Sequence, residues 1–155
     1  MAFFEAADAL ELAMGIEKNG EAFYRAVLKK TEVAEIQALF EDLAEQEVKH
    51  FAIFQKLSKA FQGKLLMSAE AWDEYQEYLQ ATVQSSLFEG PERALAAAEE
   101  AQDEKEAIRM AMGFEKETLL FFYNLRDLVS DRDQQTIDRI IAEEKSHVRR
   151  LAGML

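Results

Sequence analysis

A segment near the start of the chain returns in its second half, and both copies carry a glutamate inside an apolar helical pattern. Leu12-Ala13-Met14-Gly15-Ile16-Glu17-Lys18 matches Met110-Ala111-Met112-Gly113-Phe114-Glu115-Lys116, and Phe23-Tyr24 matches Phe121-Phe122. With a shift of one residue, Glu47, His50 and Phe54 match Glu144, His147 and Leu151. Each half therefore reads as a helical hairpin that cannot bury its apolar face alone, so the two hairpins must stack. Two copies are far too few for a solenoid.

Apolar residues recur at helical spacing through four long segments. The first runs from about Phe4 to Lys30, with Leu10, Met14, Glu17, Tyr24 and Leu28 inward. The second runs from about Val33 to Ala60, with Ile36, Leu39, Leu43, Glu47, His50, Phe54 and Leu57 inward. The short Thr31-Glu32 connection makes them antiparallel neighbours, and Gly63 marks a stop. An extra helix is expected from roughly Ser68, its N-cap, to Phe88, with a stripe of Trp72, Tyr75, Leu79, Val83 and Leu87. Gly90-Pro91 breaks the chain, and Pro91 suits the first turn of a new helix. From there a helical stretch is expected to lead through Glu99–Glu106 into the third long helix. That helix is clearest over Ala107–Val129, with Ile108, Met112, Glu115, Leu119, Phe122 and Leu125 inward. Asp131 with Gln134 resembles a capping box. It opens a fourth helix that runs to the end, with Ile137, Ile140, Glu144, His147, Leu151 and Met154 inward. The expected fold class is all-α: an antiparallel four-helix bundle with one long crossover containing an extra helix, in a single domain over 1–155.

Composition removes several chemistries. The chain has no cysteine, which excludes disulfides, thiolate zinc sites, iron–sulfur clusters and a rubredoxin-type iron centre. Its net charge of −12 lacks the basic footprint that a phosphate backbone requires, so no nucleic acid is expected. The first residues have no basic region and no long apolar run, so no signal peptide is expected. No stretch approaches the length needed to span a membrane. Cytoplasm is the default expectation. There is no phosphate-binding loop, no dinucleotide fingerprint and no Ser-His-Asp order.

Chemistry is concentrated at the chain's two histidines. Each follows a glutamate by three residues: Glu47 with His50, and Glu144 with His147. Residues i and i+3 share one helix face, so each pair can close on one metal ion. Glu17 and Glu115 lie on inward faces upstream of each pair. An isolated buried carboxylate costs several kcal/mol unless neutralised or paired, and two divalent cations would offset the four negative charges. One Glu from each of two helices and Glu-x-x-His from the other two is the ligand set of di-iron bundles. Carboxylate oxygen with imidazole nitrogen suits iron or manganese, with zinc as a substitute.

Spacing suggests roles. Glu47 and Glu144 can reach across to bridge both metals; Glu17 and Glu115 would be terminal ligands; His50 and His147 would each use one ring nitrogen. The other nitrogen should bond to a supporting acceptor. Tyr24 is placed to donate a hydrogen bond near the site or to carry a transient radical, although Phe122 holds the matching position. The bland alternative is a polar bundle core or a decayed site. Met14, Met110 and Met112 read as core filler. Glu21, Glu117 and Glu143 read as surface or supporting positions, and Glu99-Glu100 with Asp103-Glu104 as a solvated face. Trp72, Tyr75 and Tyr78 read as packing on the bundle, with contact to a second subunit next.

Ala13-x-x-x-Glu17-x-x-x-x-x-Phe23-Tyr24, Glu45-x-Glu47-x-x-His50, Phe114-Glu115-Lys116-Glu117 and Glu143-Glu144-x-x-His147 together resemble the rubrerythrin branch of the ferritin-like superfamily. The resemblance covers nearly all of the chain. It implies a ferritin-like bundle that holds two iron ions and reacts with peroxide or dioxygen while oxidising ferrous iron, in a protein that is often a dimer. Two departures bear on function. No cysteine is present for a rubredoxin centre, which implies an external electron donor. Thr118 stands where rubrerythrins carry an extra carboxylate, which weakens the expectation of redox-linked iron movement. The leading expectation is a di-iron oxidoreductase, a ferroxidase or peroxidase acting through Glu17, Glu47, His50, Glu115, Glu144 and His147. The alternatives are a non-catalytic iron-handling protein and a scaffold with structural zinc. The stripe of the extra helix predicts a homodimer.

Overall fold

The computed structural model describes residues 6–60, 69–83 and 90–155, and among these every regular element is a helix. In chain order they are α1 (Ala6–Lys30), α2 (Ala34–Ala60), α3 (Ala69–Val83), α4 (Pro91–Glu100), α5 (Glu104–Arg126) and α6 (Asp131–Ala152). The helix start expected at Phe4, the stop at Gly63 and the cap at Ser68 lie outside the described residues. So do the side chains of Trp72, Leu79, Val83 and Leu87.

Helix α1 packs most extensively on α2, and α5 on α6. These are the two hairpins of the repeat, and α1 with α5 and α2 with α6 close the four-helix bundle. In the short link after α1, buried Thr31 lends its carbonyl oxygen to the Gln37 side-chain amide at 2.8 Å. Helix α4 lies along α1, burying Ala94 and Ala98.

Apolar packing falls into two blocks. One gathers Leu10, Ile16, Phe54, Phe121, Phe122, Ile137 and Ile140. The other gathers Phe23, Val27, Leu39, Phe40, Leu43, Ile108 and Leu151. Each large side chain removed from water contributes roughly 1.5–3 kcal/mol. On every long helix the buried side chains between its contributions to the two blocks are polar: Glu17 and Asn19 on α1, Glu47 and His50 on α2, Glu115 and Thr118 on α5, Glu144 and His147 on α6. The bundle is thus apolar at both ends of a buried polar layer. Tyr75 of α3 joins the first block, with Tyr78 packed against it, so this part of the α3 stripe is used within the chain.

Two local expectations are corrected. The stretch through Glu99–Glu106 is not one continuous helix. It breaks between α4 and α5, because Asp103 caps α5 by accepting from the Glu106 amide at 2.8 Å, while the Glu106 carboxylate accepts from the Gln102 amide at 3.0 Å. Lys30 then ties off α4, donating to the carbonyl oxygens of Ala98, Glu99 and Ala101 at 2.9, 3.2 and 3.0 Å. The start of α6 also differs. Its N-cap is Ser130, whose hydroxyl donates to Asp133 rather than capping the backbone, and Asp131 is already helical. Helix α5 ends at Arg126, and the turn beyond it buries Leu128 and Val129.

Candidate metal centre

The bundle brings all six predicted side chains into one cluster. Glu17, Glu47, His50 and Glu144 offer one group of ligand atoms within 4.8 Å of one another, and Glu47, Glu115, Glu144 and His147 offer a second. Glu47 and Glu144 are common to both groups, Glu17 and His50 belong to one, and Glu115 and His147 to the other. All six are buried, with Glu17, His50 and Glu144 at 0% exposure. The two imidazole rings lie face to face, their centroids 5.9 Å apart.

Carboxylates and imidazoles from four helices converge in the cluster. Nδ1 of His50 lies 2.9 Å from Oε1 of Glu144 and 3.7 Å from Oε2 of Glu17. Nδ1 of His147 lies 2.8 Å from Oε2 of Glu144, 3.3 Å from Glu115 and 3.7 Å from Glu47. Yet both Nδ1 atoms, both oxygens of Glu17, both of Glu144 and Oε1 of Glu47 are buried with no hydrogen-bond partner. Native interiors satisfy nearly all such atoms. Two groups of buried ligand atoms that have Glu47 and Glu144 in common are what two neighbouring cations would require, so the residues present fit a two-metal site.

Without ions, the carboxyls respond to one another. Burial pushes Glu17 and Glu47 well above the ordinary carboxylate range. Burial and then the charge of Glu144 push Glu115 up to about 8, although His147 opposes the rise. Burial would raise Glu144 too, but the two histidines outweigh it and hold that carboxylate far below its ordinary range. Burial pulls both imidazoles down. The carboxylates beside them reverse this, leaving His50 at about 9 and His147 at about 10. Cations would replace these shared protons.

Supporting contacts surround the cluster. The Tyr24 hydroxyl donates a hydrogen bond to Oε1 of Glu115, at the place spacing suggested. Its ring packs against Phe40 and Phe23. Nε2 of His50 lies 2.6 Å from Oε2 of Glu143. A carboxylate only accepts, so Nε2 carries a proton, and a metal ion displacing the Nδ1 proton would meet the Nδ1 lone pair on the side facing the cluster. Glu143 is therefore a supporting residue despite its exposed side chain. Its position just before Glu144 was the available signal, but spacing alone left it ambiguous with the surface. Glu21 pairs with Arg25 on the surface at 2.8 Å. Glu117 is exposed. Thr118 is buried, so a neutral side chain stands one turn beyond Glu115.

A family model described as Rubrerythrin matches residues 8–155. The chain belongs to the rubrerythrin family. A solved structure from Thermotoga maritima, described as that of a ferritin-like diiron-carboxylate protein, is similar to it at 32% identity and a TM-score of 0.73. The alignment covers 99% of this chain and 96% of that one. No curated protein matches significantly. This rubrerythrin-family chain therefore has the ferritin-like, di-iron-carboxylate fold, and among its described residues no helix is long and apolar enough to cross a membrane.

Proposed function

We propose that the chain binds two iron ions at Glu17, Glu47, His50, Glu115, Glu144 and His147 and oxidises ferrous iron with peroxide or dioxygen. The observation that carries this reading is the pair of buried ligand groups that share Glu47 and Glu144, five of whose six residues hold atoms with no hydrogen-bond partner. When bound, two ferrous ions would supply the two electrons that reduction of hydrogen peroxide to two waters requires, with two protons taken up from solvent. Manganese or zinc satisfies the same donor atoms, and family membership with the diiron-carboxylate description of the similar structure favours iron.

The chain's own groups divide the remaining work. Glu47 and Glu144 would be shared by the two ions, and Glu17 and Glu115 would each hold one. Glu143 holds the His50 ring in orientation. Tyr24 keeps its hydroxyl proton and donates it as a hydrogen bond to Glu115, restraining that carboxylate. The apolar blocks on either side exclude bulk water and strengthen every charge interaction inside. An external electron donor would sustain repeated turnover, since the chain has no cysteine for a rubredoxin-type centre. Release of ferric iron would serve instead.

The test is a titration of metal-free protein with ferrous iron under anoxic conditions, followed by peroxide or air while the spectrum is recorded. Two ions per chain and a rapid ferric absorption support the proposal. Oxidation that stops after one turnover with every reductant tried would assign an iron-handling role. Zinc uptake that raises thermal stability while iron chemistry stays absent would assign a structural site.

A further inference from the structure

Gly20 lies within α1, one turn beyond Glu17. Neither a turn nor a positive φ accounts for it; Gly90 is the described glycine with positive φ. A glycine inside a helix costs about 1 kcal/mol relative to alanine, so its place calls for a spatial reason. A Cβ added at Gly20 would come within 2.9 Å of Oε2 of Glu47, 3.2 Å of its Cδ and 3.4 Å of its Cγ. Gly15 on the same helix and Gly113 on α5 have nothing within 4 Å of an added Cβ. Among the described glycines an approach under 3.0 Å occurs at Gly20 alone, and the atoms met belong to a carboxylate common to both ligand groups.

The neighbour is the far end of a flexible side chain. A methyl at Gly20 would therefore cost the fold little, while Glu47 would have to move its carboxylate away. In the repeat the position matching Gly20 is Thr118, which is also buried. The two halves are unequal here: a bare backbone stands one turn beyond Glu17, and a side chain one turn beyond Glu115.

We infer that Gly20 is a positioning residue for the two-metal site: its missing side chain is the room in which Glu47 sets its carboxylate between the two ligand groups. This rests on the proposed two-metal reading of the cluster.

The test compares the full chain with Gly20→Ala and Gly15→Ala, all metal-free at the start. Mn2+ uptake is followed by calorimetry and electron paramagnetic resonance, and metal-free thermal unfolding is recorded alongside. The expected result has opposite signs. Gly20→Ala keeps or raises the metal-free midpoint, since alanine favours the helix, yet binds the second ion about 10–100-fold more weakly. Gly15→Ala binds two ions as the parent does. On a Glu47→Asp background, whose shorter side chain withdraws from the methyl, Gly20→Ala costs less affinity than on the parent, a coupling read by the double-mutant cycle. Equal second-ion affinity in all three proteins, or no coupling in the cycle, would overturn the inference and leave the two-metal reading standing. A Gly20→Ala chain that fails to fold would also overturn it. Fewer than two ions in the parent chain would overturn the two-metal reading itself, and the inference with it.

Discussion

Nε2 of His50, a fully buried atom on α2, is held at 2.6 Å by Oε2 of Glu143 on α6, whose side chain is 53% exposed. One carboxylate thus reaches from solvent to the rear of a candidate ligand. Such partners orient the ring and raise its basicity toward a metal. Glu143→Ala should lower metal affinity about 10–100-fold while the stoichiometry stays at two, as measured by anoxic ferrous titration. Unchanged affinity would show that packing alone orients His50.

Glu47 belongs to both ligand groups, so its loss should be felt at both positions. Glu47→Ala should abolish cooperative uptake of two ions, leaving at most one weak site. Rapid-mixing absorbance is the decisive measurement. Iron oxidation at the parent rate in this variant would sink the assignment of the centre.

Tyr24→Phe retains the ring that packs 5.4 Å from Phe40 and removes the hydroxyl bonded to Glu115. The metal-free chain should lose about 1 kcal/mol of stability. Two ions should still bind, because no ligand has changed. Denaturant unfolding and a metal titration of the same variant separate the two effects.

The metal-free chain should become less stable as pH rises. Burial, foremost, raises Glu17 and Glu47, and takes Glu115 to about 8 from an ordinary 4.5. Above 4.5 the unfolded chain has released these protons while the folded chain still holds them, so stability falls with rising pH. The histidines act in the same direction. Their contribution is complete below 6.5 and is lost as pH passes through about 9 for His50 and about 10 for His147. Glu144, held low, contributes oppositely, but only in acid. Metal uptake displaces these protons, so the stabilisation it adds should grow over the same range. Thermal midpoints with chelator and with Mn2+, from about pH 5 to 9, should diverge. Parallel curves would contradict shared protons at the centre.

Lys30 donates to three carbonyl oxygens at the end of α4, on the far side of the second apolar block from the cluster. Lys30→Met should cost about 1–2 kcal/mol through the α1–α4 contact and leave metal stoichiometry alone. Calorimetric unfolding and ion counting on one sample check both halves of the prediction.

Much of the candidate site was legible because its spacing is local. Glu-x-x-His is one helical turn, and the repeat places Glu17 and Glu115 on matching faces without knowledge of any partner. The contacts that support these residues are not local. Glu143 meets His50, Gly20 receives Glu47, and Tyr24 chooses Glu115 only when three different helix pairs pack, and nothing in one-dimensional spacing encodes those approaches. The break before α5 was hidden for a related reason. Residues 99–106 carry good helix formers, and the outcome depends on the Asp103 cap together with a lysine anchored on α1.

By itself, then, the amino-acid order determined an all-helical bundle of two related hairpins and the six polar residues on its inward faces, because helical periodicity assigns each residue a face. Which carboxylates stand between both ligand groups, which nitrogen of His50 faces them, and why α1 needs a glycine beside Glu47 were decided only in the tertiary structure. Those features are distances between atoms on different helices, and they come into being only when the bundle closes around its buried polar layer.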